Sequence, residues 1–104
     1  MAIIHRRTFY GKVGGADQLV QLMNEGNESM ARFGAGLKAR VLTDAMTGRS
    51  DRVVVEWELE NIGDMDSQMA VVMRNPDGAA YFSGMMEKLN GLIEYADGEF
   101  WTVR

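Results

Sequence analysis

Apolar residues in this chain recur first at every second residue and then about every 3.6 residues, and this change of spacing and its reversal occur twice along the chain. Residues 3–10 (IIHRRTFY) are rich in β-branched and aromatic side chains, which is typical of a strand, and GKVGG at 11–15 breaks the chain. From Ala16 onward apolar residues recur three and four apart, and this spacing predicts an amphipathic helix that ends near Gly34 and Gly36. The chain is therefore expected to open with a strand followed by a helix.

The middle of the chain returns to strict alternation. Residues 37–45 and 51–60 (DRVVVEWELE) alternate apolar and polar side chains, and the turn residues MTGRSD lie between them. Two alternating segments joined in this way predict a β-hairpin with a longer loop.

The last third changes period once more. A short apolar stripe begins at Met65, and the pattern restarts at Asn75-Pro76, where Asn suits a helix cap and Pro the first helical position. A second stripe then runs from Ala79 to Ile93. ADGE at 96–99 predicts a turn and FWTVR a final strand.

The predicted order is β-α-β-β-α-β, the ferredoxin-like arrangement of the α+β class. It places two helices on one face of a four-stranded antiparallel sheet, with strand order 4-1-3-2. The chain of 104 residues is long enough to bury a core of its own, so we expect one domain over residues 1–104.

Composition excludes several kinds of function. The sequence contains no cysteine, so disulfides and thiolate metal sites are ruled out, and a single histidine predicts no protein-bound metal. The net charge of −4 argues against a nucleic-acid partner. No apolar run approaches a membrane span and no signal peptide is evident, so we expect no membrane partner and a cytoplasmic location.

Alternation in the third strand divides its side chains between two faces. Val53, Val55, Trp57 and Leu59 are expected to pack beneath the helices, so Glu56 points to the open face. There we expect Glu56 to pair with a basic residue of a neighbouring strand, either Arg7 or Arg40. Three apolar residues are also assigned to the open face, namely Leu42, Val54 and Phe100. A half-apolar face on so small a domain predicts a homodimer formed through it.

Three segments resemble the NIPSNAP-like proteins. Residues 7–14 (RTFYGKVG) are similar to the family's first-strand signature, with Val13 in place of proline, 52–58 (RVVVEWE) to its third strand, and 75–82 (NPDGAAYF) to the restart in its second helix. The wider group is the dimeric α/β-barrel superfamily, which includes cofactor-free monooxygenases of antibiotic biosynthesis, EthD-like proteins and haem-binding branches. The resemblance implies a homodimer with a pocket between sheet and helices or at the barrel, and it implies no particular chemistry.

Five polar residues are the candidates for a site. His5, Arg7 and Tyr10 are candidate catalytic residues, and Arg7, Tyr10, Arg40 and Glu56 are candidate ligand-binding residues. Alternation groups His5 with Arg7 and Arg6 with Tyr10, but it leaves open which pair faces the barrel.

Two functions are compatible with these residues. One is a barrel without catalysis that binds a small apolar or aromatic ligand or a protein partner; the other is a cofactor-free monooxygenase-like enzyme. We predict no cofactor. Most of the nine methionines fall on helical stripes as core residues, while Met85 and Met86 are expected at a pocket mouth. The GKVGG segment is expected to be a simple turn, although backbone amides before a helix can also hold an anion.

Overall fold

The computed structural model describes residues 2–45, 47–48 and 51–104; of the predicted hairpin turn, Met46, Arg49 and Ser50 lie outside the described residues. The elements are β1 (Ile3–Gly11), α1 (Ala16–Arg32), β2 (Lys38–Thr43), β3 (Arg52–Leu59), α2 (Asp64–Arg74), α3 (Pro76–Leu92) and β4 (Ile93–Thr102). The α+β class and the ferredoxin-like order of strands are confirmed, but the described residues form three helices where the sequence predicted two.

All strand pairs of the sheet are antiparallel, and the strand order is β2-β3-β1-β4. This is the predicted 4-1-3-2 order, with β3 between β1 and β2. In the register, Arg6 lies opposite Glu56 on one side and Arg40 lies opposite Glu56 on the other. One row of side chains therefore crosses the three strands on the same face.

The core lies between the sheet and the helices, as the alternation of β3 predicts. Val53, Val55, Trp57 and Leu59 are all buried. They form one cluster with buried residues of the helices, namely Leu19, Leu22, Met23 and Leu89. Removing this apolar surface from water stabilises the two-layer arrangement, at about 25 cal/mol per Å². The fold is a slab of 37 × 35 × 18 Å. The sheet face away from the helices is open in the single chain, since Leu42 and Trp101 on that face are exposed.

The second helical segment is divided because Asn75 is extended, with φ −83° and ψ 122°. A residue before proline disfavours helical backbone angles, so α2 ends there and α3 begins at Pro76. The side chain of Asn75 accepts a hydrogen bond from the N–H of Asp77 at 2.9 Å, as predicted for a cap. At Gly78 a side chain would collide with the carbonyl oxygen of Val72, so glycine permits the close approach of the two helices.

Two predictions about the final strand are wrong. β4 begins at Ile93 and continues through ADGE, which was predicted to be a turn. It pairs with β1 from Ile3 to Gly11, and this ladder overrides the turn-like composition. Phe100 was predicted on the open face, but it lies opposite His5 on the helix side. In the described part of the chain, no helix is both long and apolar enough to cross a membrane.

Candidate functional site

The sheet register settles which polar residues of β1 share a face. His5 lies opposite Trp57 and Arg7 opposite Val55, so both belong to the helix side. Arg6 lies opposite Glu56 and therefore belongs to the open face. Tyr10 shares the face of Arg6. The three candidate catalytic residues are thus divided between the two sides of the sheet.

Glu56 is the centre of an ion-pair network on the open face. Its side chain is 5% exposed, and both carboxylate oxygens are engaged. Arg6 approaches Oε2, with Nε and Nη2 both at 2.7 Å. Arg40 approaches Oε1, with Nε at 2.8 Å and Nη2 at 2.7 Å. The predicted pairing with Arg40 is confirmed, while the alternative with Arg7 is wrong because strand alternation turns Arg7 to the other face.

The two arginines keep Glu56 ionised. Burial by itself would raise the pKa of Glu56, but the hydrogen bonds from Arg40 and Arg6 and their charges lower it below its ordinary value. Since each oxygen of Glu56 already has a guanidinium partner, the network is a closed structural unit. A ligand-binding role for Arg40 and Glu56 remains a prediction.

Tyr10 lies at the other end of the open face. Its hydroxyl donates to the carboxylate of Asp97 at 3.1 Å, and its ring stacks on Tyr95 with centroids 4.3 Å apart. The hydrogen bond to Asp97 raises the pKa of Tyr10, so the phenol stays protonated at neutral pH. A role for Tyr10 in ligand binding or catalysis also remains a prediction, and it would have to act on the open face.

A cavity of about 260 Å³ lies between the sheet and the helices. From the sheet it is lined by His5, Arg7, Phe9 and Trp57. From the helices it is lined by Met23, Gly26, Asn27, Met30, Met65, Met69, Phe82, Met85, Met86 and Leu89. Most of these side chains are apolar, so the few polar groups among them decide what the cavity can bind.

Methionine is the commonest residue around this cavity. Met85 and Met86 both lie in the lining, as predicted, but four methionines assigned to the helical stripes share it: Met23, Met30, Met65 and Met69. Their flexible thioether chains can adapt to ligands of different outline.

His5 is held between aromatic rings at the sheet side of the cavity. Its ring stacks on Phe100 at 4.5 Å and lies 5.4 Å from Trp57. Its Nδ1 is buried, and no described residue hydrogen-bonds to it. Burial and the charge of Arg7 lower the pKa of His5, opposed by Asp66 in the first turn of α2, so the ring is neutral at pH 7.

Asn27 was not among the site residues predicted from the sequence. Its Oδ1 accepts a hydrogen bond from Nε1–H of Trp57 at 3.0 Å, which joins α1 to β3 at the cavity wall. Asn27 lies four residues after Met23 and three before Met30, so it is a polar residue on an apolar helical stripe. That position is the signal that could have identified it.

The GKVGG turn does not contribute to the cavity. The carboxylate of Asp51 accepts from the N–H groups of Gly14 at 3.0 Å and Ala16 at 3.1 Å. Two of the amides that could have held an external anion at the start of α1 are thus occupied by the protein's own side chain, which supports the interpretation of this segment as a turn.

The comparisons with known proteins identify the fold. No protein-family model matches the sequence, and no curated protein matches it. Among solved structures, an uncharacterized NIPSNAP domain protein from Burkholderia xenovorans superposes with a TM-score of 0.76 at 15% identity, over 98% of this chain and 94% of the other. The chain has the NIPSNAP fold. A NIPSNAP family protein from Agrobacterium tumefaciens is also similar, with a TM-score of 0.74 at 15% identity, over 100% of this chain and 94% of the other.

A more distant likeness extends beyond the NIPSNAP proteins. SnoaB, a cofactor-independent oxygenase from Streptomyces nogalater, superposes with a TM-score of 0.66 at 13% identity, over 99% of this chain and 93% of the other. At such identities the likeness establishes the architecture alone. The resemblance to NIPSNAP-like proteins predicted from the sequence is therefore confirmed at the level of fold.

Proposed function

We propose that this NIPSNAP-like chain binds a small, largely apolar ligand in the cavity between its sheet and its helices. The proposal rests on the composition of the cavity lining, which is apolar apart from His5, Arg7 and Asn27. Binding sites for small molecules have this character: a concave apolar wall with a few polar groups that fix orientation. The volume of about 260 Å³ suits a ligand of one or two rings.

The aromatic side chains favour a flat ligand. Phe9, Trp57 and Phe82 contribute ring surfaces to the cavity, and aromatic rings pair with one another in offset or edge-to-face geometry. The hydrogen bond from Trp57 to Asn27 fixes the indole in place before any ligand arrives.

Native mass spectrometry of the protein purified from its source organism tests this proposal directly. We expect a retained small molecule, and its mass would limit its possible compositions. Loss of the ligand on gentle unfolding, with the bare chain mass recovered, would show that the molecule is bound non-covalently.

Filling the cavity provides a second test. Met69→Trp places a larger side chain in the lining, and we expect it to abolish ligand retention. Met73→Trp is the matched control, because it makes the same change at an exposed position of the same helix, outside the lining. Equal ligand retention by the two variants in native mass spectra would contradict a site in this cavity.

The protein is also proposed to form a homodimer through the open sheet face. Exposed apolar residues lie on that face around the Glu56 network, namely Leu42, Tyr95 and Trp101. Two such faces packed together would form a barrel and cover these side chains.

A cofactor-independent, oxygenase-like enzyme is the second candidate. It is favoured by the likeness to SnoaB and by the apolar cavity, which would shield a reactive organic substrate from water. Of the three candidate catalytic residues only His5 and Arg7 line this cavity. Oxygen consumption, measured with an electrode after adding the ligand found by mass spectrometry, separates the candidates: a binding protein leaves the oxygen concentration unchanged.

A further inference from the structure

The orientation of Asn27 determines which polar groups the cavity offers. An indole N–H can only donate, so the hydrogen bond from Trp57 requires the amide oxygen of Asn27 to face the indole. The NH₂ group of Asn27 is then left over, and the described residues supply it with no acceptor. Asn27 therefore presents hydrogen-bond donors.

The surroundings of His5 decide which nitrogen carries its proton. Nδ1 is buried and lacks a partner within the described ranges. An unpaired buried N–H is rarer in proteins than an under-satisfied acceptor, so the proton belongs on Nε2. Nε2 is then the nitrogen left to meet a ligand, and since burial and Arg7 lower the pKa of His5, the ring is a neutral donor at pH 7.

Arg7 adds a charged donor to the same wall. It is exposed and lines the cavity, with its guanidinium carbon 5.7 Å from the ring of Phe9. Arg6, Arg40 and Arg52 each form a salt bridge, whereas in the described part of the chain Arg7 forms none. Asp66, the acid whose charge reaches His5, is exposed on α2 and outside the lining.

The polar groups of the cavity are thus donors, and one of them is a cation. We infer that the cavity selects a small aromatic monocarboxylate, whose ring packs among the methionines and Trp57 and whose carboxylate is held by Arg7. A guanidinium matches a carboxylate with two parallel hydrogen bonds, and His5 and Asn27 supply further donors in the same cavity. The inference rests on the proposed ligand-binding function and names the class of ligand.

A pair of probes of nearly equal shape tests the charge preference. 2-Naphthoate and 2-naphthamide differ in the group that meets the donors, and binding of each to the intact protein can be measured by calorimetry at neutral pH. We expect the carboxylate to bind on the order of tenfold more tightly, since hydrogen bonds to charged groups are the stronger ones. Equal binding, or tighter binding of the amide, would overturn the inference.

Variants assign the preference to named groups. Arg7→Gln should weaken 2-naphthoate by on the order of tenfold while changing 2-naphthamide little. Lys88→Gln is the matched control, because it removes the same charge from an exposed position of α3 outside the lining. An equal loss in both variants would mean general electrostatic attraction, and would overturn the assignment.

Asn27→Asp gives an independent test from the helix side of the same cavity. The new carboxylate can still accept from Trp57, so the wall keeps its hydrogen bond. It replaces the NH₂ donors with negative charge, and should therefore weaken 2-naphthoate while sparing 2-naphthamide. If both probes bind wild-type protein equally, the carboxylate preference alone fails. If neither binds, the proposed ligand-binding function fails with it.

Discussion

Glu56 is a charged side chain that is only 5% exposed, and both of its oxygens are held by arginines. Removing its charge leaves Arg6 and Arg40 without a counter-ion, so Glu56→Gln should lower the free energy of unfolding by about 1.5–3 kcal/mol. In the single chain the arginine side chains are 38% and 71% exposed, so the effect there falls short of that of a fully buried pair. Glu60→Gln, at an exposed residue beyond β3, should change stability by about 0.5 kcal/mol or less.

Urea unfolding at neutral pH measures the stability of both Glu56→Gln and Glu60→Gln, and similar small effects would show that the open face is simply solvated.

The pH dependence of stability gives a further prediction for Glu56. Because the pKa of Glu56 is lowered in the folded protein, the stability it contributes is present above its ordinary value of 4.5 and is lost as the pH falls through the folded value. The difference between wild type and Glu56→Gln should therefore shrink as the pH is lowered below 4.5.

The junction between α2 and α3 depends on a single cap. Asn75 accepts from the N–H of Asp77 at 2.9 Å, so Asn75→Ala should lower the free energy of unfolding by about 1 kcal/mol. Asn75→Asp should keep most of the stability, since a carboxylate can accept the same bond and favours a helix N-terminus. Asn90→Ala is the control, because Asn90 is exposed within α3 and alanine is the better helix former. A loss for Asn90→Ala as large as that for Asn75→Ala, in thermal unfolding, would contradict a capping role.

The strands show how far alternation alone predicts structure. β3 has one apolar and one mixed face, so its orientation follows from the sequence. β1 has apolar or aromatic residues on both faces, Ile3 and Phe9 on one and Ile4 and Tyr10 on the other. The residues in its centre are polar on both faces. Only pairing with β3 decides the orientation of β1. This is why Arg40 was predicted correctly as a partner of Glu56, whereas the partner on β1 was assigned to Arg7 although it is Arg6.

The whole molecule was easier to predict than its cavity. The spacing of apolar residues distinguishes strands from helices along the chain. Once the order of strands and helices is known, only a few sheet topologies are compatible with it. A cavity, in contrast, arises where helices stand off from a sheet, and the distance depends on packing that no local pattern encodes. The methionines on the helical stripes could equally have filled a closed core, and the structure brings them around a space with His5 and Arg7.

The open sheet face is the proposed dimer interface, and a single substitution in its centre tests this. Val54 lies in the middle of that face, with Thr8 opposite it on β1 and Leu42 opposite it on β2. A stable interface buries about 1,200–2,000 Å², and a charge at its centre would have to be desolvated without a partner. Sedimentation at micromolar concentration should therefore show a dimer for wild type and a monomer for Val54→Asp. Ile62→Asp makes a similar change at an exposed residue outside the sheet and should leave the dimer intact. A monomeric wild type, or dissociation of both variants, would contradict an interface on this face.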